Sequence, residues 1–388
     1  MKLKKLAAIG AAFGVAVAGL GAAAPASADP VTDGYAIVGS DTLQDAVGAL
    51  ANGFKNGSST VRTLGLGKVV ASWDAFAPGV AGGIGTVQTK AVGPVYPRPS
   101  GSGNGKAALI ASYTGNPWVI PTTNSLYNNV GLAGTYDIDG QIDASRSSSE
   151  GTQNASGVYQ YLPFGQDAVS YAFKAGANVD PASITYVQSL TTSQLNAAYA
   201  SASNTTIPGG NSDVIVPRLP QNGSGTRTFW LTAIGNPTLG AAANGAATTL
   251  PENNGNVLAP SSDEIWIIPF SVASYVAQAN GVAAANTTAG ITLGSPNGVA
   301  PTTGTAPNVA GVSAFYNGSY GRTTYIVVPW ARITPTEAAY DAGLAAALNP
   351  SSTTSLTYWG ASNLPSTSKA VKIKFGFQEP ANAGYRAN

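Results

Sequence analysis

The sequence predicts an α/β fold, and three observations carry that reading. β-branched runs such as Val214-Ile215-Val216 and Tyr325-Ile326-Val327-Val328 alternate with segments of helical period. Small polar turns rich in Gly and Ser stand at the junctions between them. The chain has 388 residues, enough for two or three domains with a substantial core.

Residues 1–28 are set apart from that core. Lys2, Lys4 and Lys5 precede a small apolar run from Leu6 to Ala24, which ends at Ala26-Ser27-Ala28. This is the pattern of a signal peptide, so an exported chain beginning at Asp29 is expected. Its removal leaves sixteen basic against eighteen acidic residues, a net charge of about −2. No later stretch approaches the roughly 20 unbroken apolar residues of a membrane helix, so no membrane insertion is expected after cleavage. Charged residues are 10% of the chain with no basic block, which argues against a nucleic-acid partner.

The missing residue types exclude whole classes of chemistry. With no Cys and no His, Ser-His-Asp triads, Cys nucleophiles, disulfides, a lipid-bearing cysteine and the usual zinc sites are out. Paired carboxylates remain possible, but no spacing among the acids singles out a pair. The sequence handle left for a hydrolase is Ser366-Thr367-Ser368-Lys369, a Ser-x-x-Lys match without Ser-Asp-Asn or Lys-Thr-Gly beside it.

Taken in order, Tyr35 to Val38 reads as a short buried strand. Gly39-Ser40-Asp41-Thr42 follows, then Leu43, Val47, Leu50 and Phe54 at helical spacing, with Ser40 or Asp41 as the expected N-cap. Residues 56 to 95 show no secure element. Arg98 to Lys106 is a glycine-rich entrance to the helix at Ala107 to Ile110. It is not a Walker A loop, because Ser100 stands where that motif needs Gly and Ala107 where it needs Ser or Thr. Residues 113 to 140 read as loops and short strands, and Gln141 to Glu150 as an apolar opening followed by hydroxyls around Arg146. Leu162 to Phe173 is a β-prone run.

Thr191 and Gln194 then set a capping box for a helix through Tyr199. After the strand at 214–216, Asn222-Gly223-Ser224-Gly225-Thr226-Arg227-Thr228-Phe229 turns into another helix. First-turn N–H groups lack internal partners and carry the positive end of the helix dipole. Small residues let an anion come close to them, hydroxyls add donors, and Arg227 adds a charge. Taken alone, this stretch is better explained as an ordinary capped turn; the fourfold repetition of the device along the chain favours a site. Further on, Glu264 to Phe270 reads as a buried strand before a helix through Gln278, residues 280–312 have no clear period, and Thr323 to Trp330 is another strand. Thr334-Pro335-Thr336-Glu337 combines a capping box with an N1 proline for a helix ending near Leu348.

Gly39-Ser40-Asp41-Thr42, the loop at 100–105, Ile142 to Ser148, and Gly223-Ser224-Gly225-Thr226 occur in an order that resembles the phosphate-binding proteins of bacterial ABC transporters. That resemblance implies a two-lobe periplasmic-binding-protein-like fold of type II, with crossing hinge strands. It implies a first lobe from residues 29–165, a second from 166–263, and a return to the first over 264–388. Leu162 to Phe173 would be the first crossing and Glu264 to Phe270 the returning strand. It implies a monomer without a cofactor that binds phosphate or a related oxyanion for an ABC-transporter permease. Carried over by position, Thr42 and Leu43 would donate from the first loop, Ser102 from the second, and Ser224, Gly225 and Thr226 from the fourth. Arg218 lies six residues before Ser224 where the family's arginine lies four before, so Arg146 or Arg227 would supply the charge. Ser147 and Ser148 form the third loop. Ser148 stands where the family has a proton-accepting aspartate, and Asp41 is the nearest carboxylate to replace it. The alternative is an extracellular binding protein of the same fold for a phosphate ester or glycan, to which Trp118, Tyr127 and Tyr136 would contribute.

Overall fold

The computed structural model describes residues 31–77, 83–245 and 249–388; the expected signal peptide lies outside them. The first half is built from β1 (Tyr35–Gly39), α1 (Gln44–Asn52), β2 (Lys68–Ser72), α2 (Gly101–Thr114) and β3 (Ala144–Ser147). β4 (Tyr159–Ala175) leads into α3 (Thr192–Ala200), β5 (Val214–Pro217), α4 (Gly225–Ala233), β6 (Glu264–Ser271) and α5 (Val272–Ala279). β7 (Gly321–Pro329), α6 (Ala342–Ala347) and α7 (Ser368–Lys374) complete the set that positions the site.

Among the described residues, eleven strands form one mixed sheet, whose main path runs Thr205–Thr206, β5, β6, β4, β7, β3, β1, β2, Leu64–Gly65. β1 is parallel to β2 and β3, and β5 is parallel to β6. β4 and β7 connect these parallel groups through antiparallel pairings.

β4 is the spine of the molecule. Its first part pairs with β7, its register shifts between Pro163 and Gly165, and Val169 to Ala175 pairs with β6. The change of partners divides it between two cores: Phe164 packs in the first half, Ala168 and Val169 in the second. In the first half both sheet faces are covered. Tyr35 and Ile37 of β1 face α1, α6 and α7, whereas Ala36 and Val38 face α2; Ile326 and Val328 of β7 alternate with Tyr325 and Val327 in the same way. Period-two burial on both faces explains why these strands read as unbroken apolar runs. The second core gathers Tyr171, Tyr199, Trp230, Ile267, Phe270 and Tyr320. The capping box of α3 is formed, with Thr191 Oγ1 accepting from the Gln194 N–H at 3.2 Å. Among the described residues, no helix is long and apolar enough to cross a membrane.

Three expectations are corrected. β6 belongs to the second core, together with Ile291, Phe315 and Tyr320, rather than to the first lobe. It lies parallel beside β5, and the chain first touches the first core again through Ala273 and Ala277 of α5. α2 begins at Gly101, so the glycine-rich stretch is its first turn and not a loop before it. Thr334 and Pro335 start no long helix. α6 begins at Ala342, because Asp341 accepts from the N–H groups of Gly343 at 3.0 Å and Leu344 at 3.1 Å.

Candidate functional site

Four loops meet where β4 and β7 pass between the halves. Thr42 follows β1, Ser102 opens α2, Ser148 follows β3 and Thr226 opens α4; all four are buried. Thr42 Oγ1 and Thr226 Oγ1 lie 3.3 Å apart. Ser148 Oγ lies 3.0 Å from Ser40 Oγ and 3.2 Å from Ser102 Oγ. The halves also touch through backbone, with the Gly103 N–H donating to Gly223 O at 2.9 Å. Two glycines permit this approach. Gly101 has φ +83°, and a Cβ there would lie 2.6 Å from Gly223 O. A Cβ on Gly225 would lie 2.4 Å from Ser102 Oγ and 2.5 Å from Ser148 Oγ.

The cation at this junction is Arg322. Its Nη2 donates to Thr226 Oγ1 at 2.9 Å, to Thr42 Oγ1 at 3.2 Å and to Asp167 Oδ2 at 2.9 Å. Nε adds a second bond to Asp167 at 3.1 Å, and Nη1 donates to Ser148 O at 3.2 Å. Asp167 and Arg322 are register partners on β4 and β7, so the sheet itself sets the pair. Asp167 is 0% exposed, and its other oxygen accepts from Ser271 Oγ at 2.9 Å and the Ala273 N–H at 3.0 Å. Both buried charges are therefore paired and hydrogen-bonded, the condition under which such a pair persists.

The arginines expected from the sequence do other work. Arg146 stands opposite Gly39 in the β1–β3 pairing and donates to Ser40 O at 2.8 Å, Ser72 Oγ at 2.7 Å and Trp73 O at 2.8 Å. It ties the end of β1 to the end of β2, and burial draws its pKa down to about 10. Arg227 turns back to Pro220 O at 3.0 Å. Ser147 Oγ bonds to Ser149 O at 2.7 Å, and Leu43 places its side chain in the first core. Ser224 Oγ caps α4, accepting from the Arg227 N–H at 3.0 Å, and donates its proton to Glu252. Of the expected donors, the side chains of Thr42, Ser102, Ser148 and Thr226 converge, with Gly225 between them.

A second carboxylate cluster flanks the site. Asn253 Nδ2 donates to Asp41 Oδ1 at 3.0 Å, and Asn253 Oδ1 accepts from the Ser271 N–H at 2.8 Å. Glu252, buried like Asp41, lies near enough for each carboxyl to affect the other's charge. Burial, then the charge of Asp41, pushes Glu252 well above the usual carboxylate range, and burial raises Asp41 as well. Two buried carboxyls this close resist ionising together, and Glu252, raised further by burial and by the charge of Asp41, is the one that keeps its proton. Asp41 is thus no N-cap: its carboxylate faces Asn253 and Glu252, and Ser40 takes the cap position.

Sequence reasoning missed Arg322, Asp167, Glu252 and Asn253. The first two carried a signal, since each is a charge bordering an apolar strand run, where an unpaired charge is costly. Two other expectations shift. Trp118 and Tyr127 are buried against each other, ring centroids 6.0 Å apart, with Tyr136 beside Trp118, so they form core and not a glycan surface. Ser366 is exposed, and Lys369 Nζ donates to Gly360 O at 3.1 Å. Outward from Arg322 and Ser148, a cleft of about 570 Å³ runs between the halves.

Sheet and cores together define a two-lobed α/β protein with a cleft at its crossing strands. No family model matches the sequence, and no curated protein matches it. Solved structures are similar to it. An ABC-type phosphate transport receptor from Vibrio cholerae is 15% identical, over 89% of this chain and 100% of that chain, with a TM-score of 0.45. A putative phosphate ABC transporter substrate-binding protein with bound phosphate, from Clostridium perfringens, is 15% identical over 81% and 91%, with a TM-score of 0.43. A possible phosphate-binding protein from Planctomyces limnophilus is 14% identical over 78% and 84%, with a TM-score of 0.36. At these TM-scores the fold class rests on the sheet order and the cores described above.

Proposed function

We propose that this chain is an exported solute-binding protein that holds phosphate or a related oxyanion between its lobes and delivers it to an ABC-type permease. The observation that carries the reading is the convergence of Thr42, Ser102, Ser148 and Thr226, drawn from both halves, on the buried cation Arg322. The hydroxyls now bond to one another at 3.2–3.3 Å, so an anion takes their place by spreading the lobes about β4 and β7. Arg322 is balanced by Asp167, and the Asp41–Glu252 pair adds negative charge. Selection therefore rests on directed hydrogen bonds and favours an anion that brings its own proton.

Phosphate at a hundred times its dissociation constant should stabilise the fold by about 2.7 kcal/mol. Thermal melts that do not move at millimolar phosphate would refute the reading. Asp41→Asn tests selectivity. HPO₄²⁻ can donate to a carboxylate and sulfate cannot, so the variant should lose roughly 1–3 kcal/mol of phosphate-over-sulfate preference. Calorimetric titrations with both anions measure it; an unchanged preference would remove Asp41 from recognition.

A further inference from the structure

We propose that the anion held at Arg322 is the phosphoryl end of a monoester whose organic part is small, neutral and polyhydroxylated, such as a glycerol or sugar phosphate. This rests on the anion reading above and narrows it. The 570 Å³ cleft lies within the range of small-molecule sites and shares Arg322 and Ser148 with the anion loops, so one ligand can span both.

The cleft is not the product of an open conformation. Thr42 and Thr226 are already in hydrogen-bond contact across the lobes, and Gly103 is bonded to Gly223. Any anion-loaded state holds these walls further apart, so the cleft persists in it. Free phosphate would leave that volume unused.

The lining states the chemistry of the missing part. Phe229 offers an apolar face beside the arginine, whose guanidinium carbon lies 5.5 Å from the ring centroid. Exposed Asn317 and Thr232 supply amide and hydroxyl groups suited to ligand hydroxyls. Among the described lining residues, Arg322 is the single cation, and it is already paired with Asp167. Glu150 is the single carboxylate, accepting from Tyr325 Oη at 3.1 Å and Asn382 Nδ2 at 3.2 Å. A second phosphate would meet no free cation there, which selects a neutral organic part.

The test is calorimetric titration of the mature protein with orthophosphate, glycerol 3-phosphate, glucose 6-phosphate and glucose. At least one ester should bind about tenfold tighter than orthophosphate, and glucose should bind far more weakly. Phe229→Ala and the exposed Asn317→Ala should each weaken the ester about tenfold and orthophosphate by less than about twofold. Asn317→Ala keeps the test decisive if Phe229→Ala fails to fold. Orthophosphate binding tighter than both esters, or ester affinity untouched by Asn317→Ala, overturns the inference and leaves the anion site standing. Binding in no arm overturns both.

Discussion

Arg322→Gln is expected to abolish phosphate binding and to lower the unfolding free energy by about 3–5 kcal/mol. Both effects have one cause. Asp167 is fully buried, and after the substitution it keeps the Ser271 and Ala273 donors but loses its counter-charge. A buried carboxylate without a partner is strongly destabilising, because it has left water with no compensating charge. The same substitution removes the donor that joins Thr42 to Thr226, the contact an incoming anion would replace. Arg322→Met combined with Asp167→Leu separates stability from binding. Exchanging a whole buried pair for apolar groups is often neutral, but here Ser271 Oγ and the Ala273 N–H lose their acceptor, so urea unfolding should recover part of the loss while calorimetry still detects no phosphate. Retention of phosphate affinity by Arg322→Gln would remove this arginine from the site.

Glu252→Gln is expected to make stability less dependent on pH and to raise it at alkaline pH. The pKa of Glu252 is raised, so the folded state holds this proton more tightly than the unfolded chain does. The stability it contributes is complete below the unfolded value of about 4.5 and is lost as pH rises through the folded pKa. Above that window no further loss comes from this group. Within it, one proton corresponds to about 1.4 kcal/mol per pH unit. Glutamine mimics the protonated acid: it still accepts from Ser224 and carries no charge beside Asp41. Urea midpoints from pH 5 to 9 should fall with pH in the wild type and fall less in the variant. Asp45, pushed up to about 6 chiefly by burial, adds a slope of the same sign at lower pH in both proteins. Parallel profiles would show that Glu252 is not the proton carrier.

The sequence by itself determined what depends on neighbours within a few residues. Thr191 and Gln194 form their box, and Ser224 caps α4, because a cap needs only a hydroxyl and an N–H three residues on. Alternating strands and helices, the β-prone run that became β4, and the glycines that let the loops approach are equally local. Where a distant group competes, local rules fail: Asp341 outbids Thr334 for a helix start, and Tyr35 Oη, 306 residues away, holds that carboxylate at 2.5 Å. Only the tertiary structure decided which arginine stands among the converging hydroxyls. Arg146 and Arg227 lie nearest the loops in sequence, yet β3 turns one under β1 and the first turn of α4 turns the other toward Pro220. Arg322, 96 residues from Thr226 and 280 from Thr42, reaches both because antiparallel pairing of β4 with β7 sets it opposite Asp167. Caps are written in intervals of three or four residues; the partner of a buried charge is written in strand register, which no local interval encodes.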